Sequence, residues 1–197
     1  MFLFALALAA SCPGRGWADQ WEDIRKSAEK ISSVRGEFTQ TRHMKILARP
    51  LVSTGTFLFR TPDSLRWEYR SPIRSILLTH SGRTNRFVQR NDELVVDSSA
   101  NLQSMQMVVQ EIGQWLKGRF DENPAFTSSL EPGRKIVLVP KEPSFAALIQ
   151  RIEIVLSERD GVIESVTILE GRDSFTRIEF DQVALNQPIE DSLFREP

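Results

Sequence analysis

The sequence predicts a mostly β protein with helices: an unclosed, strongly curved antiparallel β-barrel of about eleven strands, its concave face covered by helices. Three observations point there. Most of the chain alternates apolar and polar residues in short runs separated by Gly, Pro, Asn and Asp, the pattern of strands and tight turns. Only two stretches carry apolar residues at helical spacing. And so many one-sided strands cannot all bury their apolar faces in a flat sheet, whereas a curved sheet wrapped around helices can.

The elements follow in order. DQWEDIRKSAEKISSV, from Asp19, places Trp21, Ile24, Ala28 and Ile31 at three- and four-residue intervals, an amphipathic helix with Asp19 as N-cap. Val34 and Phe38 then recur within a Thr/Arg-rich run, the mark of a long strand. After Pro50, LVSTGTFLFR sets Phe57 and Phe59 on one face. In TPDSLRWEYRSP, Leu65, Trp67 and Tyr69 alternate with Arg66, Glu68 and Arg70, the cleanest strand in the chain. SILLTH (75–80), NRFVQ (85–89) and ELVVDS (93–98) complete a meander. The pattern changes at NLQSMQMVVQEIGQWLKG, where Leu102, Met105, Val108 or Val109, Ile112, Trp115 and Leu116 recur at helical spacing and Gly118 supplies the stop. KIVLVP (135–140), IQRIEIVLSE (149–158), GVIESVTILE (161–170) and SFTRIEFDQV (174–183) form a second set of strands, with a last edge strand near Asp191–Phe194. No repeat or low-complexity linker interrupts the run, so residues 19–197 read as a single domain.

The first eighteen residues read differently. MFLFALALAA is too short to span a bilayer and suits a secretory signal, although no Lys or Arg precedes it. Gly16-Trp17-Ala18 offers small residues for cleavage after Ala18; alternatively, Leu8-Ala9-Ala10-Ser11-Cys12 is similar to a lipobox that would leave Cys12 acylated. Both readings place the protein outside the cytoplasm. Cys12 is the single cysteine, so a chain cleaved after Ala18 has no disulfide, thiolate nucleophile or Cys-based metal site.

Composition and motifs narrow the function. With 41% hydrophobic and 26% charged residues and a net charge of −1, the chain can build a core and is not a general polyanion binder. Charge is unevenly distributed. Arg35–Arg90 holds eleven basic against three acidic residues, and Asn91–Pro197 ten against nineteen. That split marks either an interaction face or a solvated one that interleaved strands cancel. The two histidines, His43 and His80, have no metal-ligand spacing, and the chain holds no G-x-S-x-G elbow, P-loop or dinucleotide fingerprint. No catalytic residue, metal ligand or cofactor is therefore nominated. A nucleic-acid platform needs aromatics and cations on one surface, but in 64–70 they face opposite ways. What remains is the apolar face, either plain core or the wall of a pocket for acyl chains, with Met105 and Met107 as adaptable lid residues.

The order of motifs is informative here. Gly55-Thr-Phe-Leu-Phe-Arg-Thr-Pro62-Asp-Ser-Leu65-Arg-Trp67-Glu-Tyr69 with Pro72, preceded by Gly36-Glu-Phe38-Thr-Gln40 and followed by Ile136-Val-Leu138-Val-Pro140-Lys141 and Asn186-Gln-Pro188, resembles the LolA family of periplasmic lipoprotein carriers over nearly the whole chain beyond the leader. The resemblance implies a helix-covered open barrel, a periplasmic monomer, and acylated lipoproteins as cargo. It further implies an ATP-driven inner-membrane transporter as donor and an outer-membrane acceptor lipoprotein as recipient. By motif position, Leu65 and Trp67 are the implied cavity contacts, with Phe57 and Phe59 beside them and Phe38, Ile76 and Leu78 as neighbours; Met105 and Trp115 face them from the lid. An arginine that latches the lid in many members would stand just before Pro62. Here Thr61 holds that place, and Arg60 falls on the opposite strand face. This departure leaves a paralogue with different cargo open; an acceptor anchored through Cys12 and a lipoprotein-sensing role are the further alternatives.

Overall fold

The computed structural model describes residues 17–97, 111–159 and 161–197. Helix α1 (Trp17–Glu29) leads into six strands, β1 (Ser33–His43), β2 (Leu51–Arg60), β3 (Ser64–Ser71), β4 (Ser75–His80), β5 (Arg83–Arg90) and β6 (Glu93–Val96). A helical stretch at 111–115, α2, precedes β7 (Phe126–Glu131) and β8 (Lys135–Pro140). A one-turn helix α3 (Pro143–Ala146), β9 (Arg151–Leu156), β10 (Ile163–Gly171), β11 (Ser174–Leu185) and a 3₁₀ turn (Asp191–Phe194) complete the chain.

All eleven strands form one antiparallel sheet in the order β6-β5-β4-β3-β2-β1-β11-β10-β9-β8-β7. The two sequential meanders meet where β1 pairs with β11, from Val34↔Leu185 to His43↔Phe175. β6 and β7 stand at the two open edges, so the barrel is unclosed, as expected. A bulge near the β1–β11 start, with Gln182 at φ 52°, breaks the ladder and bends the long strand.

Alternation located the strands well, with two differences. β7, FTSSLE, was not anticipated: Phe126 and Leu130 are buried, but the Ser and Thr between them read as loop. The tail forms no edge strand. Its Asp191–Phe194 turn packs flat on the sheet's outer face and buries Phe194.

β6 and β7 are the opposite edges of the sheet, and ahead of β7 the described residues Ile112, Trp115, Leu116 and Phe120 join the buried core. Gly118, just past α2, has φ 73° and lies against α1, where a Cβ would come within 2.9 Å of the Ala28 side chain. The strand order also settles the charge question: β1–β6 and β7–β11 occupy separate halves of the sheet and do not interleave. The two segments still meet at the β1–β11 seam, where Arg42 and Lys45 pair with Glu170 and Asp173, and at the tail, where Arg60 pairs with Asp191.

Candidate apolar binding site

The inner face is built from cross-strand pairs. Residues directly opposite one another on antiparallel strands share a face, so Phe57↔Trp67, Phe59↔Leu65 and Trp67↔Leu77 carry one apolar surface across β2, β3 and β4. β1 adds Phe38, which pairs with Gly55 on one side and Phe180 on the other. The rings interlock. Phe38 stacks on Trp67 at 4.2 Å between centroids and meets Tyr69 edge-on at 5.1 Å, while Phe180 stands edge-on to Phe57 at 5.2 Å. Glycine makes the close approach between β1 and β2 possible. Gly36 lies opposite Phe57 and Gly55 opposite Phe38, and each ring covers the glycine across from it. Tyr69 is the polar end of this cluster; its hydroxyl donates to Gln40 Oε1 at 2.8 Å, and burial pushes its pKa up.

Above the cluster lie α1 and α2. Trp21 and Ile24 of α1 pack on the core, and Arg25 of α1 pairs with Asp121 just past α2 at 3.1 Å. Between these helices and the sheet runs an apolar crevice lined by Phe57, Trp115, Ile163, Val166, Phe180 and Leu185, among others. Its interior free volume is about 10 Å³, at the threshold for a single water. This crevice is therefore nearly filled by its own side chains.

Of the sequence-predicted residues, Phe38, Phe57, Phe59, Leu65, Trp67 and Trp115 come together in this one buried core. Phe57 and Trp115 line the crevice itself, and the others are packed solid beside it. Met105, like Met107, lies outside the described residues. Ile76 and Leu78 are a correction. Both are buried, but they pair with Glu68 and Arg66 and so point to the outer face, leaving Leu77 inside. Three consecutive apolar residues give no alternation, so only the register with β3 could assign them. Phe180 was missed as well, although Ile178 and Phe180 alternate with polar residues along β11.

On the outer face, Ile76 and Leu78 belong to the surface that receives the C-terminal turn. Arg60 donates to the Ile189 carbonyl at 3.1 Å, pairs with Asp191 and lies 4.9 Å from the Phe194 ring centre. Arg66 donates to the carbonyls of Leu193 and Glu196 at 3.0 and 2.7 Å. Arg60 is therefore a staple for the tail. Thr61 holds the α1–β1 link, its hydroxyl donating to the Ser32 carbonyl at 3.1 Å. His80 bonds Ser64 Oγ through Nδ1 at 2.9 Å and stacks on Phe194. Burial raises the pKa of the neighbouring Glu68, but hydrogen bonds from Arg66 and Arg74 outweigh it and hold the carboxyl below its ordinary value.

An open eleven-stranded sheet folded around an apolar interior, with helices across it, matches the architecture implied by the order of motifs. The profile of the family described as outer membrane lipoprotein carrier protein LolA matches residues 29–196. The chain belongs to the LolA family. Two similar proteins are both outer-membrane lipoprotein carrier proteins. That of Halorhodospira halophila is 24% identical over 196 residues, covering 99% of this chain and 88% of the relative. That of Cronobacter sakazakii is 26% identical over 171 residues, covering 84% and 78%. Among solved structures, a DUF1329 family protein from Desulfovibrio piger aligns at a TM-score of 0.47 with 9% identity, over 90% of this chain and 96% of that one. LolA proteins carry cargo without enzymatic chemistry, and the reading of this sequence as a non-enzyme stands.

Proposed function

We propose that this LolA protein takes the acyl chains of lipoproteins into its apolar interior and conveys them through the periplasm from the inner to the outer membrane. The observation that carries this reading is the helix-covered crevice beside the Phe38–Trp67 cluster. Each methylene that leaves water for such a surface contributes about 0.8 kcal/mol, so chains bind without shape-specific contacts. With the crevice nearly filled by its own side chains, helix displacement is the opening step, and release follows when a partner with higher affinity takes the chains. The donor is an ATP-driven inner-membrane transporter and the recipient an outer-membrane acceptor lipoprotein. The leader through Ala18 is removed on export, and residues 19–197 work as one monomeric domain.

Native mass spectrometry of the exported protein tests this directly. A chain starting at Asp19 with copurifying acylated protein is the expected result. A diacylated Cys12 instead identifies a membrane-anchored acceptor of the same fold, the reading favoured by the Leu8–Cys12 run. If no acyl species copurifies and tryptophan fluorescence ignores added lipopeptide, the cavity role is wrong.

A further inference from the structure

The β1–β2 hairpin ends in His-Met-Lys-Ile-Leu-Ala-Arg-Pro, residues 43–50, a mixture of apolar and basic side chains that the interior site does not use. Ile46 is 86% exposed, the highest value among the large hydrophobics of the described residues, and Leu51 and Val52 beside it are about half exposed. Single exposed apolar residues are ordinary; three on one hairpin tip are not. The tip is nevertheless held in place. Met44 O accepts from Leu47 N at 2.9 Å, and His43 stacks on Phe175 of the neighbouring β10–β11 hairpin at 5.4 Å. Lys45 reaches Asp173 and Arg42 reaches Glu170 of that hairpin at 3.5 and 3.2 Å. Among the described residues Arg49 on the tip and Arg172 on its neighbour have no ion-pair partner. The tip also lies in the basic half of the sheet, on strands within Arg35–Arg90.

We propose that this tip docks the protein on an anionic lipid surface, with Ile46 entering the bilayer interface while Arg49 and Arg172 meet lipid phosphates. The chemistry selects that occupant. Exposed apolar side chains flanked by cations on a hairpin tip match the bilayer boundary, where acyl chains lie just beneath phosphates. The long arginine stems reach the headgroups while their methylenes follow Ile46 inward. Docking of this kind would orient the carrier at the membrane independently of what fills its interior.

Cosedimentation of the exported full-length protein with phosphatidylglycerol-containing and pure phosphatidylcholine vesicles tests it. The expected result is binding to the anionic vesicles alone, lost in about 0.5 M salt. Arg49→Gln with Arg172→Gln should weaken that binding about 25-fold, from about fivefold per cation. Ile46→Ser should weaken it about tenfold. Val96→Ser removes a comparably exposed apolar residue from the β6 edge and should leave binding within about twofold. Equal binding to both vesicle types, no binding to either, or binding unchanged in the tip variants overturns the proposal. Any leader or acyl group is common to all variants and cannot imitate the difference. Superimposable thermal melts confirm that these exposed substitutions leave the fold intact.

Discussion

Gly55 sits under the Phe38 ring, and a Cβ built there would lie 2.5 Å from that ring and 2.1 Å from the Glu68 carbonyl oxygen. The Glu68 backbone belongs to the central β2–β3 ladder and cannot move aside without loss of hydrogen bonds. Gly55→Ala should therefore lower stability by about 1–3 kcal/mol or more, as an overpacked core does. The check is a shift in the urea midpoint at constant m-value. Trp67→Ala, in the middle of the aromatic cluster, should cost about 3–5 kcal/mol through the cavity it leaves. Alternation in the sequence was enough to place Leu65, Trp67 and Tyr69 on one face. It failed at Ile76 and Leu78, where SILL offers no polar residue to mark the outward side. Gly55 carried a signal too, since an interior strand glycine points to a close backbone or ring approach.

At the scale of elements, the C-terminal turn is a small lid on the outside of β3 and β4. Phe194 fills it, and Arg60 and Arg66 tie its carbonyls down. Phe194→Ala should free the last residues for carboxypeptidase digestion, while the inner-face fluorescence of Trp67 stays unchanged. The Arg66–Glu68–Arg74 network beside it gives the fold an acid-sensitive component. Glu68 has its pKa lowered by folding, so its contribution is complete above the ordinary glutamate range and fades as pH falls through the depressed folded value. Glu68→Gln should flatten the loss of stability on acidification in that window, measured as melting temperature against pH. The sequence showed Arg60 and Arg66 only as outward-facing cations. Their partners in the tail lie more than a hundred residues away, and no local pattern names them.

For the whole molecule, α1 and the described residues around α2 lie over the apolar interior, and a surface ion pair joins them. The Arg25–Asp121 pair joins α1 to the segment after α2 at the surface, with both side chains 30% exposed. Such pairs are worth up to about 1 kcal/mol, so Asp121→Asn should leave stability nearly unchanged and speed uptake of a fluorescent fatty acid by up to about fivefold. Stopped-flow mixing reads that rate, and an unaltered rate would show that the pair does not gate the crevice.

The alternation of side chains, the turn residues and the two helical patterns determined by themselves that this chain is a curved antiparallel sheet with one greasy face. These are short-range facts: a strand's period and a turn's chemistry are written within a few residues. The tertiary structure alone decided which face Ile76 and Leu78 join, that FTSSLE is an edge strand, that Arg60 holds the tail, and that the crevice beside Trp115 is nearly filled. Each of these depends on register and packing between segments far apart in sequence, where the same residues fit either face until a distant neighbour chooses one.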